Sequence, residues 1–396
     1  MIALGLAVAL SLSAAPPKLT TYTLPDGLDV VVVEHPKFTR CSARLVVRAG
    51  AAEDYPGKRG LAHIVEHTVL GGPAGMAELT SRTVSINALT SMTSTIYTLE
   101  ATKERCEEEL TRYLGVVTDA KLRKSWFVNE KEVIAREAFY FSSRKALIET
   151  NLFGNSPELI IGTQDSRDAV ELIDVRQFFQ RYYTPDRMTL VVTGLEPEAV
   201  ARALDGGFRL LPASLLSDEA HEAPASMAVG TLSLDTPNTL ALVASLDLSQ
   251  LAACRVAAAA MQLRLLQSTR GAQLSVECLP AYRRLLLVVV VAGQLDNPSV
   301  NEKTIEVWRA LKPLTKAEQA LVEQHFDATD TWDAPELADR ISSMAVWYSG
   351  KSLFDSVPGW WLVPDAKTDL SGVRAATQPR TSAVLKGKAT SSTPGR

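Results

Sequence analysis

Three side chains of one short segment, His63, Glu66 and His67, have the types and spacing of a metal centre. On an α-helix, offsets of three and four residues put all three side chains on the same face. Two imidazoles one turn apart can share a metal ion, and the carboxylate between them can reach a water molecule bound to that ion. The alternative is a solvated helix face with a local ion pair. The pattern therefore predicts a candidate metal site.

A catalytic zinc ion needs a third protein ligand and an open position. The helix predicted at residues 128–141 offers three carboxylates, those of Glu130, Glu132 and Glu137. Glu130 and Glu137 lie within about 20° of the same helix face, whereas Glu132 lies about 140° from Glu137. One member of the first pair can therefore bind the metal while the other supports a ligand.

Apolar patterns predict the elements that position these residues. In the first half, β-branched runs predict strands at 28–33, 44–48 and 188–193, with a β-prone stretch at 86–99. Helical spacing in the same half predicts helices at 60–70, 103–117, 128–141 and 170–183. A weaker succession follows, with strands at 240–246 and 285–292 and helices at 251–267, 300–311 and 316–325. The repeated order of strand, helix, strand and helix indicates duplication.

Composition divides the chain into five predicted segments. Their bounds are 1–15 for a signal peptide, 16–205 for an N-terminal metal-binding domain, 206–226 for a linker, 227–366 for a C-terminal domain and 367–396 for a mobile tail. The first segment is an uncharged apolar run, which predicts a periplasmic or secreted protein. If that run is instead an apolar strand or helix, the protein is cytoplasmic.

The overall composition excludes several classes of protein. The chain has 396 residues, of which 46% are hydrophobic and 22% charged, so it is neither disordered nor fibrous. A net charge of −4 offers no general attraction to nucleic acid. The apolar run at 285–292 is too short for an integral membrane span. The four cysteines form no C-x-x-C pair and are predicted to be buried thiols, with a Cys254–Cys278 bridge as the alternative in an oxidising compartment.

Several motifs together resemble one known group, the inverted-motif zinc peptidases of the insulinase, pitrilysin and mitochondrial processing peptidase family. The matching stretches are LPDGL at 24–28, HIVEH at 63–67, NALTS at 87–91 and EKEVIARE at 130–137. The resemblance covers about residues 20–200, and the second half only in outline. It implies an α+β fold of two homologous domains, each a mainly antiparallel sheet with helices packed on one face. The two domains would face each other across a chamber that admits unfolded peptides.

The resemblance also implies a role for each candidate residue. The ligands of one zinc ion per chain would be His63, His67 and Glu137. Glu66 would act as general base, and Glu130 would support a metal ligand. Asn87 and Ala88 would lie on an edge strand that pairs with an extended peptide. The implied activity is that of a zinc-dependent endopeptidase that cleaves short or unfolded polypeptides.

Two positions in the second half depart from the family pattern. Family members that act alone place an Arg and a Tyr there, seven residues apart, which close over the substrate. The corresponding residues here are Gln267 and Leu274, which lack the cationic fork and the hydroxyl. The resemblance therefore implies the catalytic subunit of a heterodimer whose homologous partner supplies the Arg and Tyr. A non-catalytic metal-binding, peptide-binding or scaffold subunit is the alternative, and another zinc-dependent hydrolase is a third.

Overall fold

The computed structural model describes residues 17–71, 84–140, 160–209, 230–234, 239–266, 273–281, 284–292, 298–329, 334–346, 365–378 and 382–387. The predicted signal peptide and most of the predicted linker lie outside these ranges. The described strands form two sheets, one in each half of the chain. No helix in the described part is long and apolar enough to cross a bilayer.

The first sheet has six strands. They are β1 (Lys18–Thr23), β2 (Asp29–Glu34), β3 (Arg40–Val47), β4 (Val84–Thr90), β5 (Thr95–Thr102) and β6 (Met188–Thr193). Their order across the sheet is β1-β2-β6-β3-β5-β4, so β4 lies at an edge. Only the β2–β6 pair is parallel, and the other neighbours are antiparallel. The sheet therefore has the mainly antiparallel character that the resemblance implies.

The helices of the first half surround one core. They are α1 (Leu61–Leu70), α2 (Cys106–Thr118), α3 (Lys124–Tyr140), α4 (Gln164–Asp168), α5 (Leu172–Tyr182) and α6 (Pro197–Gly207). Helix α1 has six apolar residues, and nine of its ten residues are buried. It contacts α3, α5 and β4. This burial fixes the helix that carries His63, Glu66 and His67.

The second sheet has five strands, β7 (Gly230–Leu234), β8 (Thr239–Asp247), β9 (Gln273–Ala281), β10 (Arg284–Ala292) and β11 (Ser382–Gly387). Their order is β7-β11-β8-β10-β9. The helices of this half are α7 (Leu251–Leu266), α8 (Pro298–Arg309), α9 (Lys316–Thr329), α10 (Ala334–Ala345) and α11 (Ser371–Ala376). The chain thus has two sheet-and-helix domains, as expected.

The prediction of a mobile tail at residues 367–396 is wrong for two segments of that range. Residues 371–376 form α11, and residues 382–387 form β11, which lies inside the second sheet. Strand β11 pairs parallel with β7 and antiparallel with β8. Its apolar run Ala383-Val384-Leu385 is short, and polar neighbours on both sides dominate the composition of the tail. Backbone pairing with two strands outweighs that polar composition.

Loss of β11 should destabilise the second half severely, because β7 pairs with no other described strand. We expect a chain that ends after Gln378 to lose more than about 4 kcal/mol of unfolding free energy. Urea denaturation followed by circular dichroism measures this loss. A chain that ends after Gly387 keeps every described strand and is the control. Equal midpoints for the two truncated chains would show that β11 adds nothing.

The face of the first sheet opposite α1 is covered by a helix of the second half. Helix α10 contacts both β3 and β6. Arg44 on β3 is 2% exposed, and its Nε donates to Asp339 Oδ1 at 2.6 Å. Thr193 Oγ1 on β6 donates to the backbone oxygen of Ala334 at 2.8 Å. Because both faces of the sheet are covered, β3 and β6 are buried almost throughout instead of alternating.

All four cysteines are paired, so the prediction of buried thiols is wrong. Cys41 on β3 is bonded to Cys106 at the start of α2, and Cys254 on α7 is bonded to Cys278 on β9. The second bridge is the alternative considered from sequence. Each bond ties a helix to its own sheet, and a cross-link of this kind stabilises a fold by roughly 2–4 kcal/mol. The first pair is 65 residues apart in sequence, so spacing alone does not reveal it.

Candidate metal centre

Helix α1 begins in a tightly constrained turn. Gly60, which precedes the helix, has a φ of 93°, and a Cβ at this position would lie 2.3 Å from the backbone oxygen of Ile161. Asp54 accepts hydrogen bonds from the amides of Gly60 at 2.7 Å and Ala62 at 2.8 Å. These bonds satisfy amides at the helix start, and burial raises the pKa of Asp54 to about 7. The turn fixes the position of His63, three residues after Gly60.

The structure brings His63, His67 and Glu137 together. Each offers one ligand atom, and these atoms all lie within 4.8 Å of one another. Glu137 Oε2 on α3 lies 3.7 Å from His63 Nε2 and 3.4 Å from His67 Nε2 on α1. Ligand atoms around a tetrahedral zinc ion are about 3.3 Å apart, given bond lengths of about 2.0–2.1 Å. Small side-chain movements would therefore allow the three groups to share one ion.

Glu130 lies behind His67. Its Oε2 is 2.7 Å from His67 Nδ1, and the residue is 2% exposed. A carboxylate in this place holds the imidazole ring with Nδ1 protonated and Nε2 directed to the opposite side, where Glu137 lies. The two carboxylates that share a face of α3 thus occupy different places: Glu137 beside both imidazoles and Glu130 behind one.

Protonation differs between the two histidines. Burial alone would lower the pKa of His67, but hydrogen bonds to Glu130 and Glu137 raise it to about 10. Burial lowers the pKa of His63, with smaller opposing effects from nearby carboxylates. The hydrogen bond from His67 lowers the pKa of Glu137. His63 is therefore neutral at pH 7, the form that binds metal, and a metal ion would replace the proton that His67 shares with Glu137.

These residues fit a zinc ion on chemical grounds. Two imidazoles and one carboxylate are a donor set used by zinc in hydrolytic sites, with the fourth position left for water or substrate. The carboxylate behind His67 supplies the outer hydrogen bond that metal-bound histidines require. Glu137 is about half exposed, with 43% of its side chain accessible, so the ligand cluster is open on one side. Substrate could approach from there.

Glu66 lies on the same helix but outside this ligand cluster. The residue is 6% exposed, and its Oε2 accepts a hydrogen bond of 2.5 Å from Thr90 Oγ1 on β4. A carboxylate that is close to the metal position but is not a ligand is free to accept a proton from water.

Strand β4 lies beside the metal helix, and no described strand pairs with its outer edge. Asn87 and Leu89 point outward and are exposed, the latter by 59%, whereas Ala88 packs against the core. The amide of Ala88 donates to Asn87 Oδ1 at 2.9 Å. The structure therefore places the two predicted substrate-binding residues on an edge strand.

Two residues of this region were given no role from the sequence. Asp54 is six residues before Gly60, the N-cap residue, so its place in the sequence does not mark it as a partner of the helix start. Thr90 lies in the β-prone stretch and carries a hydroxyl on the inner side of β4. Only alternation along β4 could have shown that Thr90 faces α1. In the second half, Leu274 lies on β9, and Gln267 lies outside the described residues.

Comparison with known proteins shows which family this chain resembles. The sequence model of the family "Insulinase (Peptidase family M16)" matches residues 29–155, which include the helices that carry both histidines and both glutamates. The resemblance to the insulinase family is confirmed.

Two curated relatives match the first half of the chain. A probable mitochondrial-processing peptidase subunit beta from Schizosaccharomyces pombe is 24% identical over 195 residues, 46% of this chain and 43% of that protein. The probable zinc protease PqqL of Escherichia coli is 26% identical over 202 residues, 45% of this chain and 21% of that protein.

Solved structures extend the likeness of fold to both halves. A protease from Helicobacter pylori has a TM-score of 0.74 at 16% identity, covering 94% of this chain and 99% of that one. A domain from Pseudomonas fluorescens, described as an inactive domain of peptidase M16, has a TM-score of 0.67 at 14% identity and covers 94% of this chain and 98% of that one. The family fold is therefore shown along the chain. The curated matches span less than half of either relative, and the solved folds include a domain described as inactive.

Proposed function

We propose that this chain is a zinc-dependent endopeptidase that cleaves short or unfolded polypeptides. The observation that carries the proposal is the convergence of His63, His67 and Glu137, with their ligand atoms within 4.8 Å of one another. In this assignment these three side chains hold one zinc ion, and Glu130 orients His67 through Nδ1. A bound zinc ion would supply a Lewis acid for the scissile carbonyl and for a water molecule.

Glu66 is assigned the general-base role. Its carboxylate accepts a proton from the attacking water and then delivers it to the amine that leaves. The other carboxylates near the ligand cluster have other tasks, because Glu137 contacts both imidazoles and Glu130 is bound to His67. Of these three glutamates, Glu66 is the one left for proton transfer.

Strand β4 is assigned to peptide binding. An extended substrate adds to the free edge of the sheet at Asn87 and Ala88, and its backbone pairs with the strand. The Ala88 amide, which donates to Asn87 Oδ1, is then released to the substrate backbone. A folded protein cannot present an extended segment of this kind without local unfolding, so the substrates are short or unstructured.

A homologous partner subunit is the second part of the proposal. Leu274 provides no hydroxyl at the position where self-sufficient relatives of the family have Tyr, and Gln267 provides no guanidinium. The partner would contribute the Arg and Tyr. One curated relative is a beta subunit of a processing peptidase, which agrees with a divided assembly.

Co-expression tests this proposal. The chain is purified alone and together with a homologous chain that carries the Arg and Tyr, and zinc content and hydrolysis of an unstructured peptide are measured in each. We expect about one zinc ion per chain in both samples and hydrolysis only in the mixture. Zinc-free protein in both samples would overturn the enzyme assignment. Zinc without hydrolysis in either sample would favour the alternative, a non-catalytic subunit. The fold is compatible with that role, since one domain of similar fold is described as inactive.

The proposed compartment is oxidising, either the periplasm or the exterior of the cell. Two disulfide bonds, Cys41–Cys106 and Cys254–Cys278, support this location, because such bonds persist mainly outside the reducing cytosol. The apolar run at residues 1–15 supports it independently.

A further inference from the structure

We propose that Thr90 is a positioning residue for Glu66: its hydroxyl holds the carboxylate in the orientation needed for proton transfer. The inference rests on the proposed peptidase function and adds a residue to it. Thr90 belongs to β4, the strand assigned to peptide binding, whereas Glu66 belongs to the metal helix α1. One hydrogen bond therefore joins the peptide-binding strand to the proposed base.

The contact is short and shielded from solvent. Thr90 Oγ1 lies 2.5 Å from Glu66 Oε2, and the two residues are 4% and 6% exposed. A hydroxyl that donates to a carboxylate makes a shorter and stronger bond than one between neutral groups. A buried carboxylate also has few alternative donors, so the hydroxyl restricts the rotation of the Glu66 side chain.

The neighbouring hydroxyl leaves Thr90 little choice of partner. Thr95 Oγ1 donates its single proton to the backbone oxygen of Ala49 at 3.1 Å, so towards Thr90 it can only accept. Its oxygen is 3.4 Å from Thr90 Oγ1, much further away than the Glu66 oxygen. The single proton of Thr90 is therefore directed at Glu66.

Strand β4 links this hydrogen bond to peptide binding. Asn87 and Ala88 lie three and two residues before Thr90 on the same strand, so a peptide that paired with them would lie along the strand that holds the base. The tight turn between β4 and β5, in which the Ser91 amide donates to the Ser94 oxygen at 2.8 Å, fixes the end of that strand. Small displacements of a catalytic group lower the rate far more than they lower substrate affinity.

Two substitutions separate the hydroxyl from the shape of the side chain. Thr90→Val keeps the size and removes the donor, whereas Thr90→Ser keeps the donor. In the zinc-loaded protein, in whichever assembly hydrolyses peptide, we expect Thr90→Val to lower kcat by about 10- to 100-fold. KM and zinc content should stay close to those of the unmodified protein, and Thr90→Ser should stay within about threefold of its kcat. If the Val variant does not fold, Thr90→Cys, with its weakly donating thiol, replaces it.

A control and a structural readout complete the test. Thr304→Val removes another fully buried hydroxyl, which in the unmodified protein donates to the oxygen of Val300 in α8, and should leave kcat unchanged. A crystal structure of the zinc-loaded Thr90→Val variant should show the Glu66 carboxylate rotated away from residue 90. A carboxylate that stays in place, or a Ser variant as slow as the Val variant, would overturn the inference. If the Glu66 carboxylate is displaced in the variant but the unmodified protein hydrolyses no peptide, the positioning role of Thr90 is supported and the proposed function is wrong.

Discussion

Glu66→Gln should abolish peptide hydrolysis while leaving the zinc ion bound. The amide has the size of the carboxylate and can still accept the Thr90 hydrogen bond, but it cannot take a proton from water. Loss of a general base lowers kcat by about 10²- to 10⁴-fold. Steady-state kinetics of the active assembly and metal analysis of the same samples measure the two effects.

The zinc content distinguishes this result from structural damage. Glu66 is not one of the three clustered ligands, so the variant should keep about one zinc ion and its thermal stability. Binding of an unstructured peptide, measured by fluorescence anisotropy, should also persist, because β4 is unchanged. A Gln variant that still cleaves peptide at the rate of the unmodified protein would exclude Glu66 as the base.

Glu137→Gln should remove both zinc and activity. An amide oxygen is a neutral and much weaker zinc ligand than a carboxylate, and two imidazoles alone bind the ion poorly. We expect the zinc content to fall from about one ion per chain to nearly none after dialysis, with at least a 10²-fold loss of kcat. Inductively coupled plasma spectrometry and peptide kinetics provide the measurements.

Helix α3 offers a matched control for this experiment. Glu132→Gln makes the same chemical change five residues earlier, at an exposed position that is not part of the ligand cluster. It should retain zinc and full activity. The zinc content of Glu130→Gln should lie between those of the Glu132 and Glu137 variants. Loss of a carboxylate that orients a metal-bound histidine weakens metal binding by about 10- to 100-fold. Equal zinc loss in the Glu132 and Glu137 variants would contradict the assigned ligand.

Much of the metal site follows from periodicity. Offsets of three and four residues put His63, Glu66 and His67 on one face of α1, because a helix fixes the angle between successive side chains. An offset of seven likewise puts Glu130 and Glu137 on one face of α3. That these two faces meet, with Glu137 as the third ligand, was implied only by the family resemblance. Strand β6 was predicted at its observed bounds, since a β-branched run buried on both faces gives a continuous apolar signal. Local geometry determines these features, so local sequence reveals them.

Features that depend on distant contacts were not predictable in the same way. The Cys41–Cys106 bond joins residues of two elements that meet only in the folded sheet. The Thr90 hydroxyl reaches Glu66 across 24 positions of sequence. Helix α10 became recognisable as a cover for the first sheet only through its contacts with β3 and β6. No spacing rule connects such pairs, because folding of the whole domain brings them together.

The position of β11 near the end of the sequence also determines when the second sheet can form during synthesis. Strand β7 is made about 150 residues before β11, the only described strand with which it pairs. During translation, the second sheet therefore cannot close until this late segment has emerged. Until then β8 also has an unpaired edge, open to pairing with other chains. An incomplete chain that lacks β11 is therefore more prone to aggregation than the complete one.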